Sequence, residues 1–106
     1  METEAIKNLV LAALDDMKAV DIKLLDVRER STFTDYMIVV SGTSDRHVYS
    51  VADKTIEKLK AAGVRPLGME GSRGGGWMLV DYGAVVLHVM KPDVRSFYDL
   101  EKLWSV

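Results

Sequence analysis

The fold is decided by the stretch Tyr36-Met37-Ile38-Val39-Val40-Ser41-Gly42-Thr43-Ser44. Its first five residues are apolar without alternation, which predicts a central strand that is covered on both faces. The polar residues 41–44 break this strand, and Ser44 is a suitable N-cap for a helix over residues 45–62. Gly63 then ends that helix in the left-handed conformation. A strand that leads directly into a helix is typical of an α/β fold.

Toward the N-terminus, residues 3–20 are predicted to form an amphipathic helix with Thr3 as its N-cap. Its apolar residues recur with i, i+3, i+4 spacing, as do those of the helix over residues 45–62. The two stripes are Ile6, Leu9, Val10, Ala13, Leu14, Met17 and Val20, and Val48, Val51, Ala52, Thr55, Ile56 and Leu59. A short strand over residues 22–27 leads into the central strand. Both helices are therefore expected to pack on a sheet.

Toward the C-terminus, the pattern predicts three more strands and a last helix. The strands cover residues 64–69, 77–81 and 84–90, and the helix covers residues 94–103. The element order is α-β-β-α-β-β-β-α, and the strand–helix–strand unit between residues 36 and 69 requires a parallel crossover. We expect one α/β domain over residues 1–106, with a mixed five-stranded sheet and packed helices.

The hairpin separates two kinds of side-chain face. With a two-residue turn at residues 82–83, Trp77 is expected to face His88. One side is purely aliphatic and is expected in the core: Met78, Val80, Val85, Leu87 and Val89. The other side is mixed: Trp77, Leu79, Asp81, Ala84, Val86, His88 and Met90. Tryptophan and methionine are enriched at protein interfaces, so the mixed side is a candidate docking surface, with coverage by another helix as the alternative.

The last helix carries further aromatic residues. Phe97, Leu100 and Trp104 share one face at i, i+3, i+7 spacing and are expected to face the core. Tyr98 lies beside that face and is expected to reach the surface. Arg95 lies four residues before Asp99, which predicts an ion pair along the helix.

Polar residues near Trp77 are expected to support it. His88 is expected to pack beside the indole and to donate one hydrogen bond. Glu70 is expected to pair with Arg73 or with Arg95 as a positioning contact.

Composition disfavours several classes of function. The chain has 106 residues, of which 48% are hydrophobic, with 14 Lys+Arg against 16 Asp+Glu and no cysteine. A net charge of −2 provides no basic excess for phosphates, so direct nucleic-acid binding is disfavoured. The lack of cysteine excludes disulfides and thiolate or zinc–sulfur sites. We expect no signal peptide or membrane span and a cytoplasmic location.

Two motifs invite a phosphate or metal interpretation. Gly42-Thr43-Ser44 resembles the Gly-Ser turn of nucleotidyltransferases, but the next carboxylate, Asp53, lies in mid-helix without the partner that metal-dependent transfer needs. The glycine-rich loop over residues 71–76 lacks the ending of a P-loop. His47 and His88 lie on different elements without zinc-motif spacing. We predict no catalytic, metal-binding or cofactor-binding residue; a degenerate nucleotidyltransferase that binds a nucleotide at residues 42–44 is the alternative.

A set of residues spread over nearly the whole chain matches one family in order and spacing. The set comprises residues 34–48, Glu70-Gly71, Trp77, Asp81-Tyr82-Gly83, His88 and residues 95–104. These residues resemble the bacterial ribosomal silencing factor family, also called the Iojap family. The resemblance implies a nucleotidyltransferase-like fold without the chemistry of that superfamily.

The resemblance also implies a function without catalysis. Family members bind the large ribosomal subunit through its fourteenth protein, L14, which lies on the face that meets the small subunit. A factor bound there sterically blocks joining of the subunits and lowers translation when nutrients are scarce. The family further implies a homodimer. If the same apolar face serves self-association and ribosome binding, the two are expected to compete. A dimeric scaffold for another protein partner is a blander alternative.

The resemblance places the partner surface around the matched tryptophan, which is Trp77. The face argument and the neighbouring strand extend this surface, so the expected partner-binding residues are Trp77, Leu79, Met90, Tyr98, Leu67 and Met69. The expected supporting residues are Asp81, His88, Glu70 and Arg95.

Overall fold

The structure, a computed structural model, describes residues 2–71 and 74–104. Its helices are α1 (Thr3–Asp16), α2 (Asp45–Ala61), α3 (Pro92–Tyr98) and α4 (Leu100–Trp104). Its strands are β1 (Val20–Asp26), β2 (Tyr36–Ser41), β3 (Gly68–Gly71), β4 (Trp77–Asp81) and β5 (Val85–Met90). The predicted element order is confirmed, except that the last helix is divided in two.

Within the described residues, five strands form one mixed sheet in the order β1-β2-β5-β4-β3. β2 and β5 are parallel, and the other neighbouring strands are antiparallel. β3 consequently runs parallel to β2, and α2 is the predicted crossover between them. All six residues of β2 are buried, which confirms the prediction of a strand covered on both faces.

One face of the sheet carries α1 and α2 and holds the larger hydrophobic core. The helices contribute Ile6, Val10, Ala13, Leu14, Val48, Val51, Ala52 and Leu59 to it. The hairpin contributes its predicted aliphatic side, Met78, Val80, Val85, Leu87 and Val89. The predicted stripes are thus confirmed, except that Val20 lies on β1. α1 ends at Asp16, because the chain turns through Lys18, which has a φ of 53°.

The two long helices begin differently. Ser44 caps α2 as predicted, because its Oγ accepts the backbone N–H of His47 at 3.1 Å. Thr3 does not cap α1. The N-cap is Glu2, which makes no side-chain capping bond, and Thr3 is the first helical residue.

α2 ends at the predicted glycine, and this ending delays the next strand. Gly63 has a φ of +86°, and the N–H of Val64 donates to the carbonyl of Leu59 at 2.8 Å. This bond closes the helix end and holds Val64 in the core. β3 therefore begins at Gly68, later than the residue 64 predicted from the sequence.

The hairpin has a register two residues away from the predicted one. Trp77 faces Met90, because the turn lies one residue later than predicted. Gly83 supplies the positive φ of +82°, and its N–H donates to Oδ1 of Asp81 at 2.7 Å. Tyr82 then packs in the core instead of forming the turn. Since a shift of two residues preserves side-chain alternation, the predicted contents of the two faces are confirmed.

The opposite face of the sheet carries α3 and α4. A smaller buried cluster lies on it, formed by Leu25, Val27, Met37, Val39 and Met90. Trp77, Val94, Leu100 and Trp104 pack against this cluster. None of the residues described in α3 and α4 is fully buried, so these short helices cover their face less completely than α1 and α2 cover the other.

The predicted last helix is interrupted at Asp99, which adopts the left-handed conformation with φ 47° and ψ 55°. The i, i+3, i+7 spacing places residues on one face only while the helix is continuous. Leu100 and Trp104 pack on the sheet as predicted. Phe97 lies before the break and is 82% exposed, so the prediction that it faces the core is wrong.

Candidate docking surface

A row of aromatic rings crosses the sheet face that carries α3 and α4. The ring centroids are 5.9 Å apart between His88 and Trp77, 4.7 Å between Trp77 and Tyr98, and 5.1 Å between Tyr98 and Phe97. His88 is 5% exposed, Tyr98 49% and Phe97 82%, so the row runs from the core to solvent. Ring pairs of this kind contribute about 0.5–1.5 kcal/mol each beyond the area they bury. The row therefore joins β4, β5 and α3 into one surface.

Trp77 lies at the start of β4 and is half-buried. Its indole packs on the smaller cluster, and its Nε1–H donates to Nδ1 of His88 at 3.1 Å. The predicted position of His88 beside Trp77 is confirmed, and toward the indole His88 is the acceptor. Because Nδ1 accepts, the neutral imidazole carries its proton on Nε2. Burial lowers the pKa of His88 to about 4, which keeps the ring neutral and Nδ1 available as an acceptor.

A shallow pocket of about 270 Å³ lies beside Trp77 and is lined by Glu70, Gly71 and Leu79. Glu70 and Leu79 are neighbours, because they face each other across β3 and β4. The walls are mainly apolar with one carboxylate, a combination that suits a side chain of a protein partner and repels a phosphate. The predicted partner Arg73 lies outside the described residues.

Arg95 anchors α3 and α4 to the far edge of the sheet. Its guanidinium donates to Oε1 of Glu101 at 2.6 Å, to the carbonyl of Asp21 at 2.7 Å and to Oγ of Ser41 at 2.8 Å. The side chain is only 12% exposed. These contacts join α3 to α4, β1 and β2, so they fix the position of both short helices.

The two predicted ion pairs of Arg95 are both wrong. Asp99 occupies the left-handed position between α3 and α4, and Glu101 takes its place as the partner of the guanidinium. Glu70 lies on β3, at the opposite edge of the sheet from the β1 and β2 groups that Arg95 contacts. The pair with Asp99 was predicted from helical spacing. That spacing brings side chains together only in a continuous helix, and the helix ends before Asp99.

The structure brings together three of the six predicted partner-binding residues, namely Trp77, Leu79 and Tyr98. The side chain of Leu79 lies on the same face of β4 as that of Trp77, and both line the same pocket. Tyr98 contacts the indole from α3. We call Trp77, Leu79 and Tyr98 the docking surface.

The other three predicted partner-binding residues lie elsewhere. Met90 is 0% exposed, so the prediction that it contacts a partner is wrong, and it supports the sheet face from beneath. Met69 is 47% exposed but pairs with the inward-facing Val80, which puts it on the α1–α2 face. Leu67 precedes β3, beside Gly83, and is 78% exposed. Extending the surface to a whole neighbouring strand ignored the alternation of its side chains.

The alternative nucleotide site at residues 42–44 has backbone N–H groups that already donate hydrogen bonds within the chain. The N–H of Gly42 donates to the carbonyl of Met90 at 3.0 Å, and the N–H of Thr43 donates to Nδ1 of His47 at 2.8 Å. A Cβ on Gly42 would lie 2.7 Å from Cγ2 of Val48, so the loop packs tightly on α2. These contacts leave neither amide free for an anion.

A larger open cleft of about 710 Å³ lies along the first half of α2. It is lined by two carboxylates, Asp45 and Asp53, and by Arg46, together with Tyr49, Ser50 and Gly74. Two carboxylates oppose the binding of a polyphosphate. Within residues 2–71 and 74–104, no group of three or more histidine, aspartate and glutamate side chains is arranged to hold a metal ion. The helices described there include none long and apolar enough to span a bilayer.

Comparison with known proteins identifies the family. The model of the family RsfS, described as ribosomal silencing factor during starvation, matches residues 1–106. The chain belongs to the RsfS family. A relative from Chromobacterium violaceum named ribosomal silencing factor RsfS is 46% identical over 105 residues, which are 99% of this chain and 86% of the relative. A mouse relative named mitochondrial assembly of ribosomal large subunit protein 1 is 33% identical over 102 residues, which are 93% of this chain and 45% of that protein.

A solved structure supports the fold assignment. The crystal structure of a Chromobacterium violaceum protein matches with a TM-score of 0.93 and 46% identity, over 98% of this chain and 87% of that one. Membership of the RsfS family confirms the resemblance seen in the sequence and gives the chain a ribosome-associated role in silencing translation. The mixed α/β fold is confirmed, and the nucleotidyltransferase-like label stays a prediction.

Proposed function

We propose that this RsfS family member binds the large ribosomal subunit through Trp77, Leu79 and Tyr98 and blocks joining of the subunits. The observation that carries the proposal is the half-buried indole of Trp77, set in a row of rings that emerges from the thinly covered face of the sheet. The name of the mouse relative refers to the ribosomal large subunit, which supports the choice of subunit. The protein partner is L14, as the family resemblance implies.

The docking surface is suited to tight binding because it is held in place before the partner arrives. His88 fixes the indole through a hydrogen bond, and Tyr98 rests on the indole from a helix that Arg95 anchors. Aromatic residues that are already ordered lose little conformational freedom on binding and are enriched among the residues that dominate interface energies. A flexible surface of the same composition would bind more weakly.

The proposed mechanism is steric and needs no catalytic residue, metal or cofactor. A chain that occupies the intersubunit face of L14 excludes the small subunit, so repression follows occupancy in the cytoplasm of a nutrient-limited cell. Self-association through the same apolar surface would compete with ribosome binding.

Leu79→Ala tests the site with little disturbance of the fold. Leu79 is half-buried beside Trp77, and its truncation is expected to weaken binding to purified large subunits about tenfold, or about 1.4 kcal/mol. Cosedimentation on sucrose gradients measures the change. The matched control is Leu24→Ala, because Leu24 is a 37% exposed leucine of the distant strand β1. Binding of the Leu79 variant at wild-type strength would exclude this surface.

A further inference from the structure

We infer that Phe97 is the outer anchor of the docking surface and inserts its ring into an apolar pocket of the large-subunit protein. The inference rests on the proposed docking function and adds to it a residue and the chemistry of the partner's site. Sequence spacing placed Phe97 in the core, so the residue was not among those expected to bind.

The first observation is the exposure of Phe97 on a regular helix. The side chain is 82% exposed, although it lies within α3 and not in a loop. A single exposed apolar side chain needs no explanation. Phe97, however, contacts the ring of Tyr98 edge-on at 5.1 Å, and Tyr98 contacts Trp77 at 4.7 Å. The exposed ring is thus continuous with the docking surface.

The second observation is that the ring is presented from a fixed position. Arg95 lies two residues before Phe97 and makes hydrogen bonds to β1, β2 and α4. Asp99 lies two residues after it, and its N–H donates to the carbonyl of Arg95 at 2.9 Å while its backbone is left-handed. Because the backbone is held on both sides of Phe97, less freedom is lost when its ring binds, which favours its use as an anchor.

The chemistry of the partner's site follows from the ring itself. A phenyl ring has no hydrogen-bonding atom, so burial against apolar atoms is the main contribution it makes to affinity. The matching site on the partner is therefore an apolar pocket. The affinity change on removing the ring is expected to depend little on salt, in contrast to a contact between exposed charges.

The test compares two exposed phenylalanines. Phe33 is 90% exposed and precedes β2, away from α3, so Phe33→Ala is the matched control for Phe97→Ala. Phe97→Ala is expected to bind purified large subunits about tenfold more weakly than wild type, and Phe33→Ala to stay within about twofold. Phe97→Leu, which retains apolar bulk, is expected to recover part of the loss. Binding is measured by cosedimentation, and circular dichroism verifies that each variant is folded.

Three outcomes would overturn the inference. If Phe97→Ala binds like wild type while Leu79→Ala binds weakly, the inference fails and the proposed function stands. If light scattering shows that Phe97→Ala dissociates a dimer without changing affinity for the large subunit, the ring contacts a second copy of the chain. If the wild-type chain itself does not bind large subunits, the proposed function fails and the inference fails with it.

Discussion

His88 shows at the scale of one residue how burial and a hydrogen bond support the docking surface. The ring is 5% exposed and accepts the indole N–H of Trp77, and burial lowers its pKa to about 4 from an ordinary value of 6.5. Between about pH 4 and about pH 6.5, His88 is therefore mostly protonated in the unfolded chain and mostly neutral in the folded chain. The contribution of His88 to stability is fully present above about pH 6.5 and is lost as the pH falls toward about 4.

The lowered pKa of His88 predicts how the stability of the fold depends on pH. The free energy of unfolding is expected to decrease by up to about 3 kcal/mol between about pH 6.5 and about pH 4 through His88 alone. His88→Asn keeps an acceptor near the position of Nδ1 but does not titrate, so its stability is expected to change less over that interval. Urea unfolding at a series of pH values measures both proteins. Equal pH dependence in the two would contradict the role assigned to His88.

Sequence reasoning succeeded for residues whose position depends on alternation alone. A shift of the hairpin register by two residues leaves Trp77 and Leu79 on the same face. The error in the predicted turn therefore did not affect them. The burial of Met90 and the acceptor role of His88 depend on which residue lies opposite and on the packing of distant helices. Both features are decided by residues that are far apart in the sequence, so no local sequence pattern predicts them.

At the scale of elements, α3 and α4 depend on Arg95 because none of their described residues is fully buried. Replacing the guanidinium by an apolar side chain leaves Glu101 and Ser41 without their partner and retains only the packing of a few side chains. The break at Asp99 explains why the sequence predicted one continuous helix where the structure has two. Aspartate is one of the residues that tolerate a positive φ, but an aspartate alone does not predict the end of a helix.

Arg95→Met is expected to lower the free energy of unfolding by about 3 kcal/mol, because it removes one partner of a largely buried ion pair and two further hydrogen bonds. The matched control is Arg28→Met. Arg28 also makes a 2.6 Å ion pair, with Asp26, but its side chain is 57% exposed, so the expected loss is much smaller. Urea unfolding followed by tryptophan fluorescence is the measurement, because Trp77 and Trp104 both pack against the smaller buried cluster on this face of the sheet. Equal losses in the two variants would contradict the anchoring role.

At the scale of the whole molecule, the size of the chain is sufficient for the proposed steric mechanism. The described residues extend over 34 × 32 × 22 Å. Hydrogen bonds act over about 3 Å, and electrostatic interactions are screened over about 8 Å at physiological salt. A rigid body whose smallest extent is 22 Å therefore separates two facing surfaces beyond the range of their contacts.

The measurement that tests this account most directly is subunit joining followed by light scattering, with the chain bound in advance to purified large subunits. The expected result is that joining decreases in proportion to the fraction of large subunits occupied, and that Leu79→Ala restores joining at concentrations where the wild-type chain blocks it. The Leu24→Ala control is expected to block joining as the wild type does. Joining at the normal rate and extent while the chain remains bound to the large subunit would contradict steric exclusion.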